Sequence, residues 1–209
     1  MSHSSTSRRR GRRRGVTLIE LLVVAAILAL LTAILFPVLS RARTQGTVAR
    51  AHTELAQVGL ALQMYADDCG AFPPARTYCS GLEMKIEDYN ELPPELYKQG
   101  YIKLRKYLDP FNPGRAYKYI APGPGFANNV KTILPIWVPE DYPHSTKACV
   151  PYFDQKTSPL KWAVWSVGPT GGVDMFTSEQ RQLPVPRWWW FPYRWDGVIV
   201  RLSDGRKSP

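Results

Sequence analysis

From Leu21 to Leu39 the chain carries no charged side chain, a run of 19 residues. That is about the length a helix needs to cross a bilayer. Glu20 stands at the head of the run. A charge at the edge of a membrane segment is costly and needs a partner, and the segment offers none nearby. The partner is therefore expected on another copy of the chain. Pro37, near the far end, removes a backbone donor and is expected to bend or locally open the helix.

The net charge of +10 comes from 27 basic and 17 acidic residues among 209. A balance this basic raises nucleic acid as a partner, but its distribution argues otherwise. Arg8, Arg9, Arg10, Arg12, Arg13 and Arg14 lie in the first 15 residues with no acid among them, which leaves 21 basic against 17 acidic residues in the rest. Positive charge flanking a membrane segment holds that end in the cytoplasm. The basicity thus reads as topology rather than as a surface for nucleic acid. Aromatic residues make up 12% of the chain, and all seven tryptophans lie beyond residue 136, so a packed C-terminal core is within reach.

Helical periodicity continues past the proline. Val48, Ala51, Leu55, Val58, Leu62 and Tyr65 recur at spacings of three and four, the mark of one apolar stripe. Arg41, Arg43, Arg50, Glu54 and Gln57 are assigned to the other faces, and His52 is read as solvated. Asp67-Asp68-Cys69-Gly70 followed by Phe72-Pro73-Pro74 ends the helix. Eighteen of the nineteen prolines follow residue 70, which predicts a loop-rich domain of short strands. The expected organisation is a basic leader over 1-15, a long helix over 16-69 and a globular β domain over 70-209. The helix divides into a transmembrane part over about 18-39 and an amphipathic part over about 40-68. Strands are expected at Tyr117 to Ile120, Trp162 to Val167 and Val198 to Leu202, with a short helix or turn at Pro94 to Lys98. Pro122-Gly123-Pro124-Gly125 reads as a turn.

Gly15-Val16-Thr17-Leu18-Ile19-Glu20 carries the functional signal. A glycine before a cut site lets extended backbone enter a protease. A free amine at Val16 of a neighbouring chain would neutralise Glu20, and burying that pair would set the register between subunits. With the arginine-rich leader, the apolar run and Pro37, this segment resembles the N-terminus of type IV pilins and type II secretion pseudopilins. The resemblance implies cleavage between Gly15 and Val16 by a prepilin peptidase, N-methylation of Val16, and assembly through Glu20. Val16 departs from the phenylalanine usual after the cut. Leu60 to Asp68 with Phe72-Pro73-Pro74, Asp109-Pro110-Phe111-Asn112-Pro113, and Ser166 to Gly172 with Asp174 are similar to pseudopilins of the G type.

The resemblance implies an α+β, pilin-like fold: a long N-terminal transmembrane helix packed on a small C-terminal antiparallel β-sheet domain. It implies a single-pass protein of the bacterial cytoplasmic (inner) membrane with its C-terminal domain outside the cytoplasm. It implies a structural subunit, not an enzyme. Its partners would be copies of itself, related pseudopilins, the prepilin peptidase, the assembly platform and a motor ATPase. No cofactor is required; calcium at the loop bearing Asp174, with Asp154 or Asp196, stands beside a plain glycine turn.

Other readings stay open. The N-terminus can be an ordinary secretory signal, with Ser7-Arg8-Arg9 as a twin-arginine hint, or a plain anchor. Trp188, Trp189 and Trp190 can grip DNA, a glycan or a secreted substrate in a pilin-like binding module, or simply pack. A membrane-anchored envelope enzyme is disfavoured, because the three histidines, His3, His52 and His144, form no catalytic set. In an oxidising compartment Cys69 and Cys79 can close a short loop, leaving Cys149 over; three separate thiols are the alternative.

Overall fold

The computed structural model describes residues 17–77, 91–103, 107–144, 147–169 and 198–207. The chain divides into two compact units, Met1–Arg43 and Thr44–Pro209. One helix, α1 (Leu18–Cys69), contributes to both.

In the first unit every side chain from Leu18 to Leu39 is exposed. Leu18 reaches 83% and Phe36 74% exposure, far above what water-facing leucines and phenylalanines tolerate in such numbers. The helix is long and apolar enough to cross a membrane. The lone hydroxyl of the run, Thr32, donates back to the carbonyls of Leu28 at 3.0 Å and Ala29 at 2.9 Å, so it needs no outside partner. The helix continues through Pro37, and Ser40 Oγ donates to the Pro37 carbonyl at 3.1 Å.

In the second unit the expected stripe faces inward. Ala51, Leu55, Val58 and Leu62 are fully or almost fully buried, Tyr65 is buried, and Val48 packs against the same core. Glu54 departs from its expected place on a polar face. It is buried, and its carboxylate accepts Tyr117 Oη at 2.7 Å and Arg50 Nε at 2.8 Å, which offsets the desolvation. The helix stops at Cys69 because Gly70 takes φ +74°, a left-handed conformation that closes a helix, with its N–H on the Ala66 carbonyl at 2.8 Å.

Beyond it the order is β1 (Ala75–Thr77), α2 (Pro94–Lys98), β2 (Lys118–Ile120), β3 (Gly123–Ala127), β4 (Val130–Leu134), β5 (Ile136–Pro139), β6 (Cys149–Tyr152), β7 (Ala163–Ser166) and β8 (Ile199–Leu202). They form three small sheets, ordered β1-β3-β4, β2-β7-β8 and β5-β6. All pairings are antiparallel except β1 with β3, which run parallel with Arg76 opposite Phe126. The fold is the expected α+β one. Tyr117, Tyr119, Val164, Trp165, Ile199 and Val200 join the helix stripe in one core. The helix packs close: a Cβ at Gly59 would meet the Trp162 ring at 2.7 Å.

Pro122-Gly123-Pro124-Gly125 is not the expected turn. Gly123 opens β3, which lies between two strands. A Cβ at Gly125 would lie 2.6 Å from the Ala75 carbonyl and 2.7 Å from Leu134, so the missing side chain is what lets both neighbours close in. The turn comes later, at Asn128 and Asn129, whose φ values of 50° and 64° make a two-residue hairpin of the kind asparagine favours.

Candidate functional site

Thr17 and Glu20 bracket the first turn of α1 and bond reciprocally. Thr17 N–H donates to Glu20 Oε2 at 2.8 Å, and Thr17 Oγ1 donates to the same oxygen at 2.9 Å. Glu20 N–H donates to Thr17 Oγ1 at 3.3 Å, and Leu21 N–H reaches the Thr17 carbonyl at 3.2 Å. This is a capping box, Thr-x-x-Glu, which satisfies donors that a helix start leaves open. The spacing of Thr17-Leu18-Ile19-Glu20 carries this capping signal in the sequence itself, within the segment read as a recognition motif. A carboxylate at this end also opposes the positive pole of the helix.

Of the remaining expected positions, Pro37 lies inside α1. Cys69 is exposed, with Sγ 4.0 Å from Gln99 Oε1. Cys149 is half-buried, and burial, then the charge of Asp141, pushes its thiol up. Gly15, Val16, Cys79, Asp174, Trp188, Trp189, Trp190 and Asp196 lie outside the described residues. Asp154 is exposed and accepts the Lys156 N–H at 2.9 Å. Among the described residues no cluster of three histidine, cysteine or acidic side chains could hold a metal ion. His52 is half-buried rather than solvated.

Three polar ties in the second unit escaped the sequence reading. Asp109, only 1% exposed, accepts Ser166 Oγ at 2.7 Å, Val167 N–H at 2.9 Å and Phe111 N–H at 2.9 Å. Burial pushes its carboxyl up against the pull of those bonds and of Lys118. The Asp-Pro turn is thereby fastened to the end of β7. Tyr101 Oη donates to Asp68 Oδ2 at 2.6 Å, and that bond pushes the phenol up to about 12. Arg76 grips Glu95 with two bonds, of 2.8 Å and 2.6 Å, and lies over the Phe126 ring. Burial raises the Glu95 carboxyl, but the Arg76 bonds outweigh it and hold the group below its ordinary value.

Residues 10–36 match the prokaryotic N-terminal methylation motif. Residues 38–132 match type II secretion system protein G. The type II secretion system core protein G of Pseudomonas aeruginosa is 35% identical over 116 residues, which cover 54% of this chain and 78% of that protein. The chain belongs to the type II secretion system protein G family. A second member, the core protein G of Vibrio cholerae, is 34% identical over 110 residues, 52% of this chain and 71% of that protein. No solved structure matches the chain.

The chain is thus a G-type pseudopilin, a structural subunit of the secretion pseudopilus, and its apolar helix anchors it in the inner membrane. The methylation motif spans the capping box. The family match runs through the rest of α1 and the Asp-Pro turn to β4, so Asp109 lies inside it and its partners Ser166 and Val167 lie beyond.

Proposed function

We propose that this pseudopilin is cut between Gly15 and Val16 by a prepilin peptidase and methylated on the Val16 amine. It then polymerises with copies of itself and related pseudopilins. The leader stays in the cytoplasm, where its arginines hold it, and the second unit stands outside. An inner-membrane platform and a motor ATPase drive assembly. The observation that carries this reading is Glu20, a carboxylate fixed on the first turn of an otherwise uncharged, fully exposed run. When exposed apolar helices of several chains come together, that charge is withdrawn from water and needs a cation. The new amine at Val16 of a neighbour supplies one.

Mass spectrometry of the mature N-terminus tests the cut. A start at Val16 supports the reading; a start at Arg43 would replace it with an ordinary secretory signal. In the Glu20→Ala variant, processing should persist while filament yield falls. Wild-type yield from that variant would refute the pairing.

A further inference from the structure

The outer strand of a sheet presents a row of unpaired N–H and C=O groups, which a chain must cover or blunt. β2, β6 and β8 are treated in this way. Glu91 bridges Lys118 along β2, with Leu92 N–H on the Tyr117 carbonyl at 3.0 Å, and Lys207 bridges Arg201 along β8. In the β5–β6 ladder Glu140 N–H reaches the Ala148 carbonyl at 3.0 Å, and bonded pairs alternate from there. Pro151, opposite Trp137, therefore turns outward, where a residue without an N–H cannot extend a ladder.

β4 has no such cover. It pairs with β3 on one side, and among the described residues nothing pairs with the other. Val130 is 67% and Ile133 60% exposed. The Asn128-Asn129 turn makes Ala127 and Val130 a bonded pair, so Gly125–Thr132 and Gly123–Leu134 are bonded as well, and Phe126–Lys131 and Pro124–Ile133 are not. Pro124 has no N–H to give, which agrees with this alternation. Lys131 and Ile133 thus aim both backbone groups away from β3.

We infer that β4 pairs antiparallel with β4 of a second copy, about a two-fold axis between the two Thr132 residues. Lys131 then faces Ile133 of the second copy, each exchanging both bonds, and Val130 faces Leu134. The neighbouring staggers fail. An axis at Lys131 sets two like charges opposite each other. An axis at Ile133 sets Lys131 opposite Pro135, which has no N–H to return. The contact lies wholly in the second unit and does not depend on the Glu20 pairing proposed above.

The test uses the full chain carrying Thr132→Cys in detergent micelles, oxidised with copper phenanthroline. Digestion and mass spectrometry then read the peptide joined to its own copy at position 132. The two-fold pair holds those Cα atoms about 4.5 Å apart, within reach of a disulfide. Lys131→Cys or Ile133→Cys meets its own copy only across the diagonal, about 7–8 Å away, and should not link. Ile133→Pro added to Thr132→Cys should abolish the link, because it removes an edge donor that β3 does not use. Circular dichroism checks that each variant keeps its fold. Should the proline unfold the unit, the contrast among the three cysteine positions decides alone. The inference fails if Thr132→Cys gives no joined peptide, as it would if the edge took a different partner. It also fails if all three positions link alike, as random collision or contact through α1 would give. The assay contains no assembly machinery, so its outcome and that of the Glu20→Ala filament test are independent.

Discussion

Between Leu18 and Leu39 α1 exposes every side chain, whereas between Ala51 and Tyr65 the same helix buries eight of its fifteen residues. Burying a large aliphatic side chain is worth about 1.5–3 kcal/mol. In the first stretch that stabilisation must come from other molecules, lipid or protein. In the second it comes from strands of the same chain. A substitution in the first stretch should therefore register in membrane behaviour and assembly, and one in the second in the stability of the fold.

Glu20→Ala should break this contrast most visibly if it is wrong. Removing one partner of a buried ion pair costs about 3 kcal/mol, so filament yield in electron microscopy or sedimentation should collapse. The unfolding midpoint of the second unit, followed by tyrosine and tryptophan signals in detergent, should not move. Asp109→Ala should do the reverse. It strands the buried Ser166 hydroxyl and two N–H groups, for a loss of about 3 kcal/mol in denaturant unfolding of the full chain. An unchanged midpoint would show that the clamp does not hold the turn to β7. Tyr117→Phe removes one donor from the buried Glu54 carboxylate while Arg50 remains, and should cost about 1.5 kcal/mol.

The smallest effect is acid sensitivity at Arg76–Glu95. The Glu95 carboxyl lies below its ordinary value of 4.5 in the folded chain. Its contribution is present above that value and is lost as pH falls through the lower folded one. The pair is about a quarter exposed, so less than about 1 kcal/mol is at stake. Glu95→Gln should flatten the fall of the unfolding midpoint below pH 4.5. A slope identical to wild type would assign the acid response to other carboxylates.

The helix was legible because its signals are local and repeated: a charge-free run, a stripe at spacings of three and four, and Gly70 to stop it. Pro94–Lys98 was found at its observed bounds, and β2, β7 and β8 to within a residue, since each is a short block of β-branched and aromatic side chains. The first sheet was not. β1 has three residues, and Gly123–Ala127 contains two glycines and a proline, which read as a turn until the neighbouring strands show why a side chain cannot stand at Gly125. Polar ties hid for a different reason. Glu54 meets Tyr117 across 63 positions and Asp109 meets Val167 across 58, and no periodicity links residues so far apart. Half of the Asp109 clamp was within reach, since its bond to the Phe111 N–H is a local Asx-type turn.

Thr17 gives two donors to a single oxygen of Glu20. Under the proposed pairing, a neighbour's amine meets a carboxylate that the cap has already oriented and that keeps further lone pairs to offer. Joining the fibre then adds a contact to a side chain already fixed in place, and no bond of the cap has to break first. A carboxylate already held in place gives up little side-chain freedom on pairing, so the proposed contact can form and release without remodelling the helix start.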